Sequence, residues 1–222
     1  MAAICATPIK GTVIRFVMVD VCGVPTTGSS SLVVTSSGFI SVEMEPQYED
    51  GEEFFERTAD GNACVNQKDD PVLKRMQLTT ELCEVDPSLV KYVLSATALL
   101  SGTDTIGFKL SEGKPTNHFS MEVWQRVAGA GACATGGVPR YIYNAWPNVG
   151  SVKMGTYTIE NGKSSFKFTS ETAVASTLWG DGPGTGTSWL PAGTTMVGTE
   201  HWIWNITSVT PPTGTCGPTL LT

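Results

Sequence analysis

Eight carboxylates crowd one short stretch of this chain, at Glu43, Glu45, Glu49, Asp50, Glu52, Glu53, Glu56 and Asp60. Such a run admits three kinds of chemistry. Calcium coordination needs oxygen ligands at fixed loop positions, and this spacing matches no EF-hand. Glycoside hydrolysis needs two carboxylates facing each other across a sugar, whereas these acids lie in one local run; spacing alone leaves that pairing open. The third reading is a fixed negative surface. Ile40, Val42 and Met44 alternate with Ser41, Glu43 and Glu45, so the strand that carries them has one buried face and one acidic face.

The remaining reactive residues fall to simpler readings. Of the two histidines, His118 and His201, neither sits in the setting of a nucleophilic triad, and both are expected to be ordinary strand residues. Gly162-Lys163-Ser164 resembles the end of a phosphate loop, but Tyr157 occupies the position of the required earlier glycine, so a hairpin turn is expected. The glycine-rich residues 180–186 lack the strand–turn–helix setting that phosphate binding uses. Asn205-Ile206-Thr207 is a chance glycosylation match on an apolar strand. Cys5, Cys22, Cys64, Cys83, Cys133 and Cys216 stand singly, without the paired spacing of a zinc site, and reduced thiols in a protein made in a cytoplasm are expected. Pro8, Lys10, Arg15 and Asp20 break up the start of the chain too often for a secretory apolar segment, and no run approaches a transmembrane helix. No catalytic residue, metal or cofactor is expected. Six tryptophans, Trp124, Trp146, Trp179, Trp189, Trp202 and Trp204, could stack sugars; core or subunit-interface packing is the expected fate.

Charge distribution narrows the partners. The net charge is −7, and residues 1–111 carry 15 acids and 8 bases while residues 112–222 carry 6 and 6. The excess is therefore confined to the first half, and no basic patch offers a grip on a phosphate backbone.

Positioning these residues requires many strands. With 24 Gly and 13 Pro in 222 residues, the composition points to a single mainly β domain spanning residues 1–222. A strand is predicted at residues 12–19, with Ile14, Phe16 and Met18 on one face and Arg15 on the other. A second begins near Leu32 and bends at Ser36-Ser37-Gly38. After the acidic strand comes an arm at residues 45–73 with no strong period, too long for an idle loop; Phe54, Phe55, Val65 and Leu73 argue against plain disorder. The next strand places Met76, Leu78, Thr80 and Leu82 opposite Gln77, Thr79 and Glu81. One helix is predicted after it, capped by Asp86 with Pro87 in its first turn and an apolar stripe of Leu89, Val90, Val93 and Leu94. Val85 and Val90 form its staple, and it stops by Ser101-Gly102. Further strands are expected at residues 118–127, 140–145 and 201–209, the last with Trp202, Trp204 and Ile206 on one side. A hairpin over residues 152–169 turns at Asn161-Gly162, setting Tyr157 opposite Phe166, Ile159 opposite Ser164 and Glu160 opposite Lys163. Residues 210–222 form an extended tail expected to pack on a neighbour.

The run QYEDGEEFFERTADGNACVNQKDDPVLKRMQLTTELCEVDP, with the opening ATPIKGTVIRFVMVDVCGVP, resembles the major tail tube proteins of siphophages infecting actinobacteria, most strongly over the first half of the chain. The resemblance implies a β-sandwich or barrel-type tail tube fold with one flanking helix and a long inter-strand loop. It implies a structural virion protein rather than an enzyme: rings, usually hexameric, whose sheets join into an inner barrel and stack into the tail tube. The tube carries the genome outward, with a tape-measure protein and terminator and tail-tip proteins as partners, only transient contact with DNA and no membrane insertion. The protein is then made in the bacterial cytoplasm and resides in the phage tail. Glu43 and Glu45 become candidates for the lumen wall, where negative charge repels phosphates. Glu49, Asp50, Glu52, Glu53, Phe54 and Phe55 become candidates for an assembly arm. The competing class is a secreted or cell-surface β-sandwich module that binds carbohydrate.

Overall fold

The computed structural model of the chain describes residues 5–28, 31–159, 161–162, 164–180, 182, 190–191, 194, 196, 198–215 and 217–221. It is mainly β. The strands are β1 (Thr7–Val19), β2 (Val33–Ser36), β3 (Phe39–Glu49), β4 (Glu53–Arg57), β5 (Ala63–Lys68), β6 (Val72–Leu82), β7 (Thr97–Ser101), β8 (Asp104–Lys109), β9 (His118–Ala128), β10 (Tyr141–Met154), β11 (Phe166–Thr172) and β12 (Ile203–Thr207), with helix α1 (Pro87–Val93) between β6 and β7. One antiparallel sheet runs β2-β1-β9-β10-β11-β6-β3, and β12 pairs with the first half of β10.

The ends of that order explain its shape. β2 and β3 are the two edge strands, yet only Ser37 and Gly38 separate them in the chain. The sheet must therefore curl until its edges meet at one corner, as the Ser-Ser-Gly bend predicts. Gly38 makes the corner possible. Its N–H donates to Ser36 Oγ at 2.9 Å, and its carbonyl accepts from the amides of Cys83 (2.9 Å) and Glu84 (3.1 Å). A Cβ there would lie 2.4 Å from Glu84 Cβ. Beyond the corner the Phe39 ring lies so close to Gly11 of β1 that a Cβ at Gly11 would sit 2.3 Å from it. Inside the curl, Phe16, Phe119 and Phe168 meet with centroids 5.7–6.4 Å apart, surrounded by Ile14, Leu78 and Leu82.

α1 packs on this core as its stripe predicts: Leu89, Val90, Val93 and Leu94 are buried and Asp86 accepts from the Ser88 amide at 2.7 Å. Val85 is exposed, so the predicted staple has no buried partner. The helix ends at Val93, before the predicted stop. Thr97-Ala98-Leu99-Leu100-Ser101, which continues a helical pattern in sequence, instead forms β7 and turns at Gly102 into β8.

Three strand ladders slip by a residue, each at a bulge. In β3 the pairing jumps between Phe39 and Ser41, which leaves Ile40 exposed, while Phe39, Val42 and Met44 pack on the core. In β10 the ladder to β11 slips between Gly150 and Lys153, where Ser151 takes a positive φ of 51°. Met154 then faces Phe168 and Gly155 bonds Lys167, one residue out of the predicted register, and the ladder ends there, so the predicted pairs of Tyr157 with Phe166 and Ile159 with Ser164 do not form. Phe166 and Phe168 turn inward, whereas Tyr157 and Ile159 are exposed. The expected Glu160–Lys163 pair lies outside the described residues. The third slip, between β9 and β10, falls at Pro147-Asn148, where proline supplies no ladder donor.

β1, β9 and β10 are buried on both faces. From the chain between β11 and β12, Ala175, Trp179, Leu190 and Met196 cover the outer face, packing on Val13, Trp124, Tyr143 and Ala145. Arg15, on the face opposite Ile14 and Phe16 as predicted, is sealed in with Glu122 at its register position on β9. Its Nε and Nη2 donate to the two Glu122 oxygens at 2.6 and 2.8 Å, Tyr143 Oη donates to the same carboxylate, and the guanidinium lies 5.4 Å from the Trp124 ring centre. Burial alone would lower the Arg15 guanidinium, but the Glu122 charge and hydrogen bonds outweigh it and raise it. Burial, then that same carboxylate, pushes the Tyr143 phenol well up. The tail does not wait for a neighbour: Val33 and Thr219 exchange backbone bonds at 2.9 and 2.8 Å, and Leu221 packs on Val17 and Val33.

Candidate functional site

The arm at residues 45–73 is a two-stranded ribbon rather than an irregular loop. β3 and β6 stay paired to Glu49 and Val72, past the last buried residue of β6, Met76. Asp50, Gly51 and Glu52 then cross close to Asp69, whose N–H donates to the Glu52 carbonyl at 3.0 Å; a Cβ on Gly51 would lie 1.9 Å from Asp69 O. β4 and β5 continue the hairpin to a turn at Thr58–Asn62, where Asp60 accepts from Thr58 and Asn62. The Thr58 hydroxyl, first among these contacts, holds the Asp60 carboxyl below the usual carboxylate range. At about 3.3 Å per residue, the nine residues from Glu49 to Arg57 carry the tip on the order of 30 Å outward.

The ribbon is exposed on both faces, which explains its lack of period in sequence. Phe54 and Phe55 necessarily point to opposite sides and are 47% and 46% exposed. Phe54 shares its side with Val65, and Phe55 lies 5.1 Å under the Arg57 guanidinium. Tyr48 and Val72 add apolar surface at the root. Glu49, Asp50, Glu52 and Glu53 ring that root; of these only Glu49 has an ion pair among the described residues, to Lys74 at 3.1 Å. All the predicted arm residues therefore come together on one element, with apolar rings set among acids.

Glu43 and Glu45 stand on the outer face of the curled sheet, opposite the buried Val42 and Met44 side. Register extends that face sideways in polar rows: Glu43 beside Thr79 and Thr169, and Glu45 beside Gln77 and Glu171. A third row sets Ser41 beside Glu81 and Lys167. Arg75 pairs with Glu171 at 3.3 Å. The face is small-residued, hydroxyl-rich and mixed in charge.

Both histidines serve the scaffold. His118 Nδ1 meets Asn148 Oδ1 at 2.7 Å, and Asn148 donates to the Val174 carbonyl at 2.7 Å. His201 Nδ1 meets Thr172 Oγ1 at 2.9 Å, and that hydroxyl also accepts from the Met76 amide. Burial lowers the His201 pKa. With an unfolded value of about 6.5 and a lower folded one, the fold favours the neutral ring, so this contribution is present above about pH 6.5 and is lost as pH falls below it. The urea midpoint is expected to drop from pH 7.5 to pH 5.5 with a slope that His201→Gln reduces; an unchanged slope would remove His201 from the acid response.

The tryptophans divide. Trp124, Trp146 and Trp179 are buried and Trp202 packs on the core, as one of the two expected fates requires, while Trp204 is 48% exposed and so lies outside the core; Trp189 lies outside the described residues. No group of acids, histidines and cysteines with metal-site geometry occurs among the described residues. Cys5, Cys22, Cys64, Cys83 and Cys133 are free and exposed, and Cys216 lies outside the described residues. Parts of the glycine-rich residues 180–186 do too. No protein-family model matches this chain, and no curated protein matches it by sequence.

Proposed function

We propose that the chain is the tail tube subunit of a siphophage, a non-enzymatic building block that closes into rings, six to a ring, and stacks into the conduit for genome delivery. The observation that carries this reading is the ribbon: an element paired as regularly as the body, projecting into solvent with two phenylalanines on opposite sides. A monomer gains nothing by holding apolar rings in water, whereas a subunit flanked by two neighbours buries both. The free edge of β3 supports the same reading. Among the described residues β3 pairs only with β6, leaving its other edge without a strand partner, interrupted by Pro46 and by bulges near its two ends. A lone domain with such an edge invites aggregation, and ring closure gives each edge a partner.

The sheet face of Glu43 and Glu45 then lines the lumen, which a tape-measure protein fills before DNA passes, with terminator and tip proteins closing the ends. A conduit wall should not bind phosphate, and on this face the carboxylates of Glu43, Glu45, Glu81 and Glu171 outnumber the cations Lys167 and Arg75. Glu43→Lys in every subunit is expected to leave tube formation intact and to slow genome ejection, more at low ionic strength than at high. Ejection kinetics unchanged at every salt concentration would take this face out of the lumen. The reading as a whole is tested by negative-stain microscopy and sedimentation of the purified chain: tubes of one diameter support it, and a monomer at all concentrations refutes it.

A further inference from the structure

The ribbon's receptor is a second question, and its answer here rests on the tube reading. Lys10 of β1 and Arg126 of β9 are direct cross-strand partners, so two cations share one position on one face. Like charges directly opposite destabilise an antiparallel pair. Both are exposed, Arg140 joins them at the start of β10, and none of the three has an ion pair among the described residues. The residues that build this end of the sheet, 5–13 of β1 and its lead-in, 124–128 and 139–143 of β9 and β10, and 203–207 of β12, contain no Asp or Glu. Ile9 and Val138 add exposed apolar side chains beside the cations. The ribbon is the complement in both respects: between Glu49 and Asp70 it carries eight acids against Arg57 and Lys68, around Phe54 and Phe55.

The two surfaces sit at opposite ends of one strand. Gly11, next to Lys10, touches Phe39 at the start of β3, and the ribbon leaves from Glu49 at its finish. The ribbon points away from its own subunit's cations, so they can be met only by a second copy. We propose that the acidic, aromatic ribbon of one copy docks on the Lys10–Arg126–Arg140 end of another, a head-to-tail contact. Such a contact is heterologous and propagates without limit, which is what a stacked tube requires.

Zero-length carbodiimide coupling of assembled protein, made from a mixture of isotope-labelled and unlabelled copies, reads this contact directly. The expected product is an amide between Lys10 and a carboxylate of residues 49–60, recovered as a mixed-isotope peptide pair. Lys10→Glu with Arg126→Glu should raise the concentration needed for assembly by about tenfold or more, as removal of complementary charge does. Glu53→Lys with Glu56→Lys in the same chain should restore it. Tubes whose ribbon couples only to lysines elsewhere, such as Lys109 or Lys114, would overturn the receptor while leaving the tube reading standing. Assembly unaffected by the reversed cations would do the same, as would retention of nucleic acid by Lys10 and Arg126 in the finished tube. A wild-type chain that never assembles would refute both.

Discussion

A chain carrying Phe54→Ala and Phe55→Ala will fold and will not assemble. Neither ring contributes to the body's core, and the ribbon that holds them lies beyond Met76, the last buried residue of β6, so thermal stability of the monomer should change little. Assembly is different. Each ring is about half exposed in the single subunit, and burying both against neighbours contributes on the order of a few kcal/mol per contact. That contribution is repeated at every subunit of every ring, so its loss should raise the threshold for polymerisation beyond ordinary protein concentrations. Sedimentation and circular dichroism separate the two effects. Tubes from the double variant at wild-type concentrations would show that the ribbon is not an assembly element.

The largest effect on stability is expected deep in the opposite layer. Glu122→Ala removes the carboxylate whose two oxygens bond the buried Arg15 guanidinium and takes an acceptor from Tyr143 Oη. Breaking one member of a buried ion pair typically costs about 3–5 kcal/mol, because the remaining charge is left in a poorly solvating interior. For a domain of this size that corresponds to a fall in Tm of roughly 6–20 °C. Glu122→Gln should fall less, since a side-chain amide still accepts a bond. Joint replacement, Arg15→Met with Glu122→Leu, should recover much of the loss, because no charge then remains buried. Equal melting of Glu122→Ala and wild type would mean that water or another group solvates Arg15 without its partner.

The same triad shows where sequence reading stops. Strands with one wet face declare themselves: Met76, Leu78, Thr80 and Leu82 alternate with polar residues, and the structure buries all four. The helix cap at Asp86 and the bend at Ser36–Gly38 are equally local, written in residue types that favour those conformations. That the face of Arg15 is buried could not be read, because its cover comes from Ala175, Trp179, Leu190 and Met196, distant in sequence and without period. Bulges were illegible for another reason. Nothing marks Ser151 as a residue of positive φ, yet the ladder steps by one residue there, from Gly150–Glu171 to Lys153–Thr169. The ribbon hid in plain view: strands exposed on both faces need no alternation, so their regular pairing leaves no hydrophobic trace. What sequence did reveal there was the unusual company of Phe54 and Phe55 among acids.

Helical reconstruction from cryo-electron micrographs of the assembled protein tests the central claim most directly. The account predicts stacked rings around an open channel, with Glu43 and Glu45 on the channel wall, the free edge of β3 paired to the adjacent subunit, and each ribbon lying across a neighbour with Phe54 and Phe55 buried. A filament with Glu43 on its outer surface and ribbons free in solvent would contradict it, and so would a stable monomer that forms no filament.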